Sequence, residues 1–203
     1  MNRGLTLIEF LVAMGIGLLL ILTVAGTVAK VLSLTSQQPL AIGTIDTARI
    51  VTNTFLNEIR DATTAGDGSY PLTLASSSAI IFYTPYGSYD GSIIRVRYFI
   101  SNNTLYKGVT KPTGTPATYP VASEKISPLM TLASSTAAIF TYYDGNYVGA
   151  TTSLPLAQPV SIAQVTYAQM ALTVFTKDSR TATTTFTMTA GATMRNLKTN
   201  LGN

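Results

Sequence analysis

The chain has 203 residues and a formal net charge of +4; it contains no histidine and no cysteine, and only 11% of its residues are charged. These counts leave out disulfide stapling and thiol chemistry, the usual general base near neutral pH and the common zinc ligand sets. The length allows one membrane segment plus one domain of roughly 140 residues, an ordinary domain size, and the abundance of Thr, Ser, Ala and Gly predicts a neutral, hydroxyl-rich surface.

The first predicted element follows the short basic stretch Met1-Asn2-Arg3-Gly4. Residues 10–29 carry no charge, and at about 1.5 Å per residue such a helix spans about 30 Å, the thickness of a bilayer core. Glu9 stands at its start. A carboxylate at bilayer depth costs about 2.5 to 3.5 kcal/mol by insertion scales, so it is expected to have a partner or to reach water at the interface. The stretch before the apolar run is too short for a conventional secretory signal and no A-x-A-like site follows it, so the anchor is expected to stay attached. Gly15, Gly17 and Gly26 offer close-packing positions to other helices, and Thr23 and Thr27 are placed to bond back to helix carbonyls. Arg3 lies on one side of the span and Lys30, Arg49 and Arg60 on the other, which gives the positive-inside rule little to count.

Gly4, Leu5, Thr6, Leu7, Ile8, Glu9, Phe10, Leu11, Val12 and Ala13 together resemble the N-terminal signature of type IV prepilins: a basic leader ending in Gly, an apolar residue, Thr, two aliphatics, Glu and an unbroken apolar helix. Leu5 departs from the family, which most often has Phe there. The resemblance implies that residues 1–4 are a leader, that a prepilin peptidase cuts between Gly4 and Leu5 and methylates the new amine of Leu5, and that Glu9 pairs with the terminal amine of a neighbouring subunit. It also implies a cytoplasmic (inner) membrane location with the N-terminus inside and the C-terminal domain outside, followed by packing into a pilus or pseudopilus. The implied partners are the peptidase, other pilin or pseudopilin subunits, an inner-membrane assembly platform and the lipid bilayer. Related filaments often have a Pro that melts this helix, and this chain has none before Pro39.

Further along, 5–34 is expected to be the spanning helix, with a kink or break at Pro39. An amphipathic helix is expected over 35–62, where Ile45, Ala48, Phe55, Ile59 and Ala62 recur at helical spacing and Asp46, Arg49, Glu58, Arg60 and Asp61 fall mostly on other faces. Residues 63–203 read as a β-rich globular domain. Strands are expected over 79–84, 92–100 and 104–109 as an antiparallel meander turning at Asn102-Asn103, then over 137–143, 164–176 and 181–190. Residues 110–128, with Pro112, Pro116, Pro120 and Pro128, are expected to form an exposed loop. Residues 194–197 are expected to add a last edge strand. The fold class is therefore α+β, a long N-terminal helix packed on an antiparallel β-rich domain. The segments 55–62, 94–106 and Arg195-Asn196 also resemble the J-type pseudopilins of type II secretion and the W-type minor pilins.

Chemistry is sparse. The nine acids include several in turn sequences. Asp144, in Asp144-Gly145-Asn146, is the one candidate metal ligand, and its spacing lacks an EF-hand pattern, so a turn is the better reading. Arg95, Arg97, Lys107 and Lys111 with Tyr98 and Tyr106 suggest a basic patch for nucleic acid, against the simpler reading of a solvated strand face. No cofactor is expected, and the chain reads as a structural subunit without enzymatic activity. The competing reading is a signal-anchored monomeric surface β-domain that binds a ligand or wall polymer.

Overall fold

The computed structural model describes residues 6–134, 138–149, 153–179 and 182–197, with side chains for all of these except 33–42, 176–179 and 182–183. One helix, α1, spans Leu7–Arg60. It starts at Thr6, whose hydroxyl accepts from the Glu9 N–H, and it ends at Asp61, whose N–H donates to Asn57 and Ile59 carbonyls. The separate helices expected on either side of Pro39 form a single element. Pro39 lacks the N–H that would bond the carbonyl four residues earlier, but that local loss does not end a helix with long favourable runs on both sides.

Five strands form one antiparallel meander in sequence order: β1 (Leu72–Ala75), β2 (Ala79–Thr84), β3 (Ile94–Ser101), β4 (Thr104–Thr110) and β5 (Lys125–Thr131). β6 (Phe140–Tyr143), β7 (Tyr167–Ser179) and β8 (Ala182–Thr193) form a second antiparallel sheet in the order β6-β7-β8. The turn between β3 and β4 places Asn102 and Asn103 at φ of 48° and 60°, the left-handed pair that a tight hairpin needs and that Asn tolerates.

Four expectations are corrected. β1 was not foreseen, being short and weakly patterned. β5 crosses the end of the expected 110–128 loop and contains Pro128, which is tolerated because β5 is an edge strand and its register with β4 shifts between Leu105 and Tyr106. Lys177, Asp178 and Ser179, expected in a turn, continue β7, whose register shifts between Phe175 and Lys177. The expected last edge strand is instead a 3-10 turn, Arg195–Leu197. Burial of Met194 and Leu197 and the bond from Asn196 Nδ2 to the Ala62 carbonyl (2.9 Å) draw this segment onto the end of α1.

The core lies between residues 48–62, the last turns of α1 and the two residues after it, and the inner faces of both sheets. Ala48, Val51, Phe55, Ile59 and Ala62 are buried, as are Ile94, Val96 and Tyr98 on β3 and Met170, Leu172 and Val174 on β7. Phe55 is fully buried, and its ring meets those of Phe82 at 6.3 Å, Tyr98 at 5.5 Å and Phe140 at 5.8 Å. It thus touches both sheets at once. Phe55→Ala is expected to destabilise the detergent-solubilised full chain by about 3 to 5 kcal/mol in chemical denaturation; a loss below about 1 kcal/mol would show that the ring is not the joint described.

Candidate functional site

The apolar half of α1 stands apart from the domain. Leu7–Leu32 is long and apolar enough to cross a membrane, and 0% of its best window is buried within the chain. A core helix of a soluble protein would be mostly buried, and this one is not. Thr23 Oγ1 donates to the Leu20 carbonyl and Thr27 Oγ1 to the Thr23 carbonyl, both at 2.8 Å, which satisfies both hydroxyls within the helix. A Cβ placed on Gly15, Gly17 or Gly26 would meet no atom within 4 Å.

Gly4 and Leu5 lie outside the described residues. Glu9 is exposed and belongs to a capping box: its Oε2 accepts from the Thr6 N–H, while the Thr6 hydroxyl accepts from the Glu9 N–H, each at 3.4 Å. Glu9 thus has a local role that the sequence reading did not assign, although Thr-x-x-Glu before an apolar run is its signature.

Of the four charges expected to form a basic patch, Arg95, Arg97 and Lys107 have acidic partners within the domain and Lys111 is exposed. Glu124, from the loop before β5, accepts from Arg97 Nε at 2.8 Å and Nη2 at 2.5 Å, and Arg95 Nη1 lies 3.7 Å from its carboxylate. A Cβ on Gly108 would sit 2.3 Å from Glu124 Oε1, so the glycine leaves the space in which this carboxylate lies. The Arg97 guanidinium also stacks 4.0 Å above the Phe99 ring. Arg97 is therefore held by this acid through two hydrogen bonds, while Arg95 lies beside it at ion-pair distance with its buried Nη1 making no hydrogen bond. Lys107 points the other way, into the core, and donates to Glu58 Oε1.

Glu58 was placed with residues on the polar faces of its helix, and this is corrected. It is 1% exposed and also accepts from the Tyr98 hydroxyl at 2.6 Å. Its position three residues after Phe55 puts it on the apolar stripe, which was the available signal. Burial, with Glu58 beside it, pushes the Tyr98 hydroxyl far above the ordinary tyrosine range, and burial does the same to Tyr142, which donates to the Ser76 carbonyl at 2.9 Å.

The acidic turns are occupied by their own neighbours. Asp144 Oδ1 accepts from the Asn146 N–H at 3.0 Å and Oδ2 from Asn146 Nδ2 at 3.2 Å. Asp90 accepts from the hydroxyls of Ser88 and Ser92 and the Ser92 N–H, and these bonds hold its carboxyl below the usual range. Among the described residues no group of three or more His, Cys, Asp or Glu could hold a metal ion. Tyr119 pins the Pro-rich loop: it donates to the Ile93 carbonyl at 2.9 Å and accepts from the Gly66 N–H at 3.1 Å. Comparison of the chain with protein-family models finds no match, and comparison with curated proteins finds none. Leu7–Leu32 is the apolar segment that the described residues of the domain leave exposed.

Two outcomes follow for the buried charges. Lys107→Met leaves Glu58 with the Tyr98 hydroxyl alone and is expected to cost about 3 kcal/mol at neutral pH, measured by denaturant unfolding; an unchanged midpoint would contradict the pairing. Tyr98 and Tyr142 have hydroxyls raised in the folded state, so their contribution is fully present below about pH 10, the unfolded value, and is lost as pH rises above it. Unfolding midpoints across the alkaline range are expected to fall above about pH 10, and less steeply in Tyr98→Phe.

Proposed function

We propose that the chain is a structural, non-enzymatic subunit of a pilin-like assembly, a minor pilin or pseudopilin of a type IV pilus or type II secretion pseudopilus. The observation that carries this reading is the exposed apolar segment Leu7–Leu32, continuous in one helix with the buried face that holds the sheets. A rod of this kind needs cover from outside its own chain. In the cytoplasmic (inner) membrane the bilayer supplies it; in a filament, neighbouring apolar helices do. Gly15, Gly17 and Gly26 each cost about 1 kcal/mol in a helix interior and have no use within the chain's own packing. Close approach of a neighbouring helix supplies one.

On this reading prepilin peptidase cuts between Gly4 and Leu5 and methylates Leu5, with the N-terminus inside and the β-domain extracytoplasmic. Glu9 then pairs with the terminal amine of a sibling subunit, and an inner-membrane platform drives assembly. A bend at Pro39 adjusts the rod as it leaves the membrane. Nucleic acid is not included among the partners, because Arg95 and Arg97 are engaged by Glu124.

The capping box of Thr6 and Glu9 favours a second reading: a signal-anchored monomeric surface domain that binds a ligand or wall polymer and uses Glu9 only to start its helix. The two separate cleanly. Mass spectrometry of the membrane-extracted protein is expected to give a mature N-terminus at methylated Leu5; intact Met1, or cleavage near residue 30, would reject the pilin reading. Glu9→Gln keeps an acceptor for the cap and loses the charge. It is expected to impair co-sedimentation with filaments as much as Glu9→Val does, with the β-domain still folded; wild-type behaviour of Glu9→Gln would favour the monomeric anchor.

A further inference from the structure

The four sheet edges are closed in different ways. β1 has only 4 residues. β5 carries Lys125 and Pro128 and a register shift, the usual defences of an edge strand. On β6 the Phe140 N–H donates to the Ser77 carbonyl at 3.1 Å, and the Tyr142 carbonyl accepts from the Leu156 N–H at 2.8 Å. β8 has none of these protections. Its 12 residues include no proline and no charge, and among the described residues no strand pairs with it on the side away from β7.

The direction of its backbone groups follows from β7. The Ala171 N–H donates to the Ile139 carbonyl and the Thr173 carbonyl accepts from the Ala133 N–H, both at 2.8 Å. Odd-numbered residues of β7 here therefore face β6, and even-numbered residues face β8. Leu172 and Val174 stand opposite Met188 and Phe186, so Met188 and Phe186 exchange bonds with β7. The N–H and C=O groups of Thr185, Thr187, Thr189 and Gly191 aim outward. On the core-facing side of the same edge, Phe186 stays 37% exposed and Met188 and Ala190 are only half-buried. The border of the sheet thus presents a backbone ladder beside an incompletely covered apolar row.

We infer that β8 is a docking edge for an extended, uncharged strand of a different protein chain. Its backbone takes up the outward groups of Thr185 to Gly191, and its apolar side chains cover Phe186 and Met188. A second copy of this chain fits poorly. Antiparallel pairing of β8 with itself has a two-fold axis normal to the sheet and points the two α1 rods in opposite directions, which one bilayer cannot hold; this step rests on the membrane anchoring proposed above. Parallel self-pairing has its two-fold axis along the strands and turns the two apolar rows to opposite faces of the joined sheet, so Phe186 and Met188 stay uncovered. Pairing with another edge of a second copy meets β1, β5 or β6, which are short, blocked or already bonded.

The test uses the full chain in detergent micelles, a synthetic peptide of alternating Thr and Val as probe, and amide hydrogen exchange resolved to single residues. Thr187 and Thr189 amides are expected to exchange freely alone and to slow about tenfold or more with saturating peptide, while Met188 is protected throughout. Thr189→Pro removes only an outward N–H, so the domain stays folded while peptide affinity falls about tenfold or more. Thr189→Val, which changes the side chain alone, binds as wild type, and Met188→Pro, which breaks a bond to β7, is the folding control. Protection of Thr187 and Thr189 in the free chain, no peptide-dependent protection, or equal binding by Thr189→Pro overturns the inference; a peptide-free dimer lost in Thr189→Pro overturns it by giving the edge to a second copy. Anchoring is read separately, by retention in the membrane pellet after alkaline carbonate extraction, so failure of one reading is distinguishable from failure of the other.

Discussion

Both sheets are held through one face of α1. β1 to β5 and β6 to β8 form separate ladders, and rings from β2, β3 and β6 meet on Phe55. Contacts of that kind bury large apolar areas and have directional preferences of their own, so the helix sets where each sheet lies. The same helix continues as the exposed apolar segment. The face that holds the domain and the apolar segment are therefore parts of one helix.

The polar interior follows a consistent pattern. Glu58 ties α1 to β3 and β4 through Tyr98 and Lys107, and Glu124 fastens the loop before β5 to the outer face of β3 through Arg97. Unpaired, either carboxylate would be costly at such burial. Paired, each links segments distant in sequence. These pairs also withdraw charge from the surface. With only 11% charged residues in the chain and Arg95, Arg97, Lys107, Glu58 and Glu124 engaged in these pairs, the surface carries little charge. Contacts of such a surface are set by shape and hydrogen-bond direction more than by long-range steering. An open sheet edge and an apolar rod are surfaces of this type.

Local signals were the ones readable in the chain itself. The uncharged run 10–29, the acid at its head, the helical spacing of Ala48, Phe55, Ile59 and Ala62, and the alternation of Ile94, Val96 and Tyr98 before Asn102-Asn103 each depend on residues within a few positions of one another. The burial of Ala48, Phe55, Ile59 and Ala62 and of Ile94, Val96 and Tyr98 follows from those patterns. Glu9 was legible as an acid in an unusual place; its bond to Thr6 was legible too, through the capping-box spacing.

What the sequence by itself determined is thus the apolar helix, its acid and the three central strands β2 to β4 of the meander, because period and turn chemistry act over short distances. Tertiary structure alone decided the rest. Glu124 finds Arg97 at a separation of 27 residues and Lys107 finds Glu58 at 49, and no local pattern encodes such meetings. β5 forms despite Pro128 because an edge strand has one unpaired side on which a missing N–H does no harm. The C-terminal segment turns where the Ala62 carbonyl, just beyond α1, accepts from Asn196 and where Leu197 joins the buried core. Which strand ends a sheet is likewise a property of the assembled ladders, so the open edge of β8 became visible only when the other edges were in place.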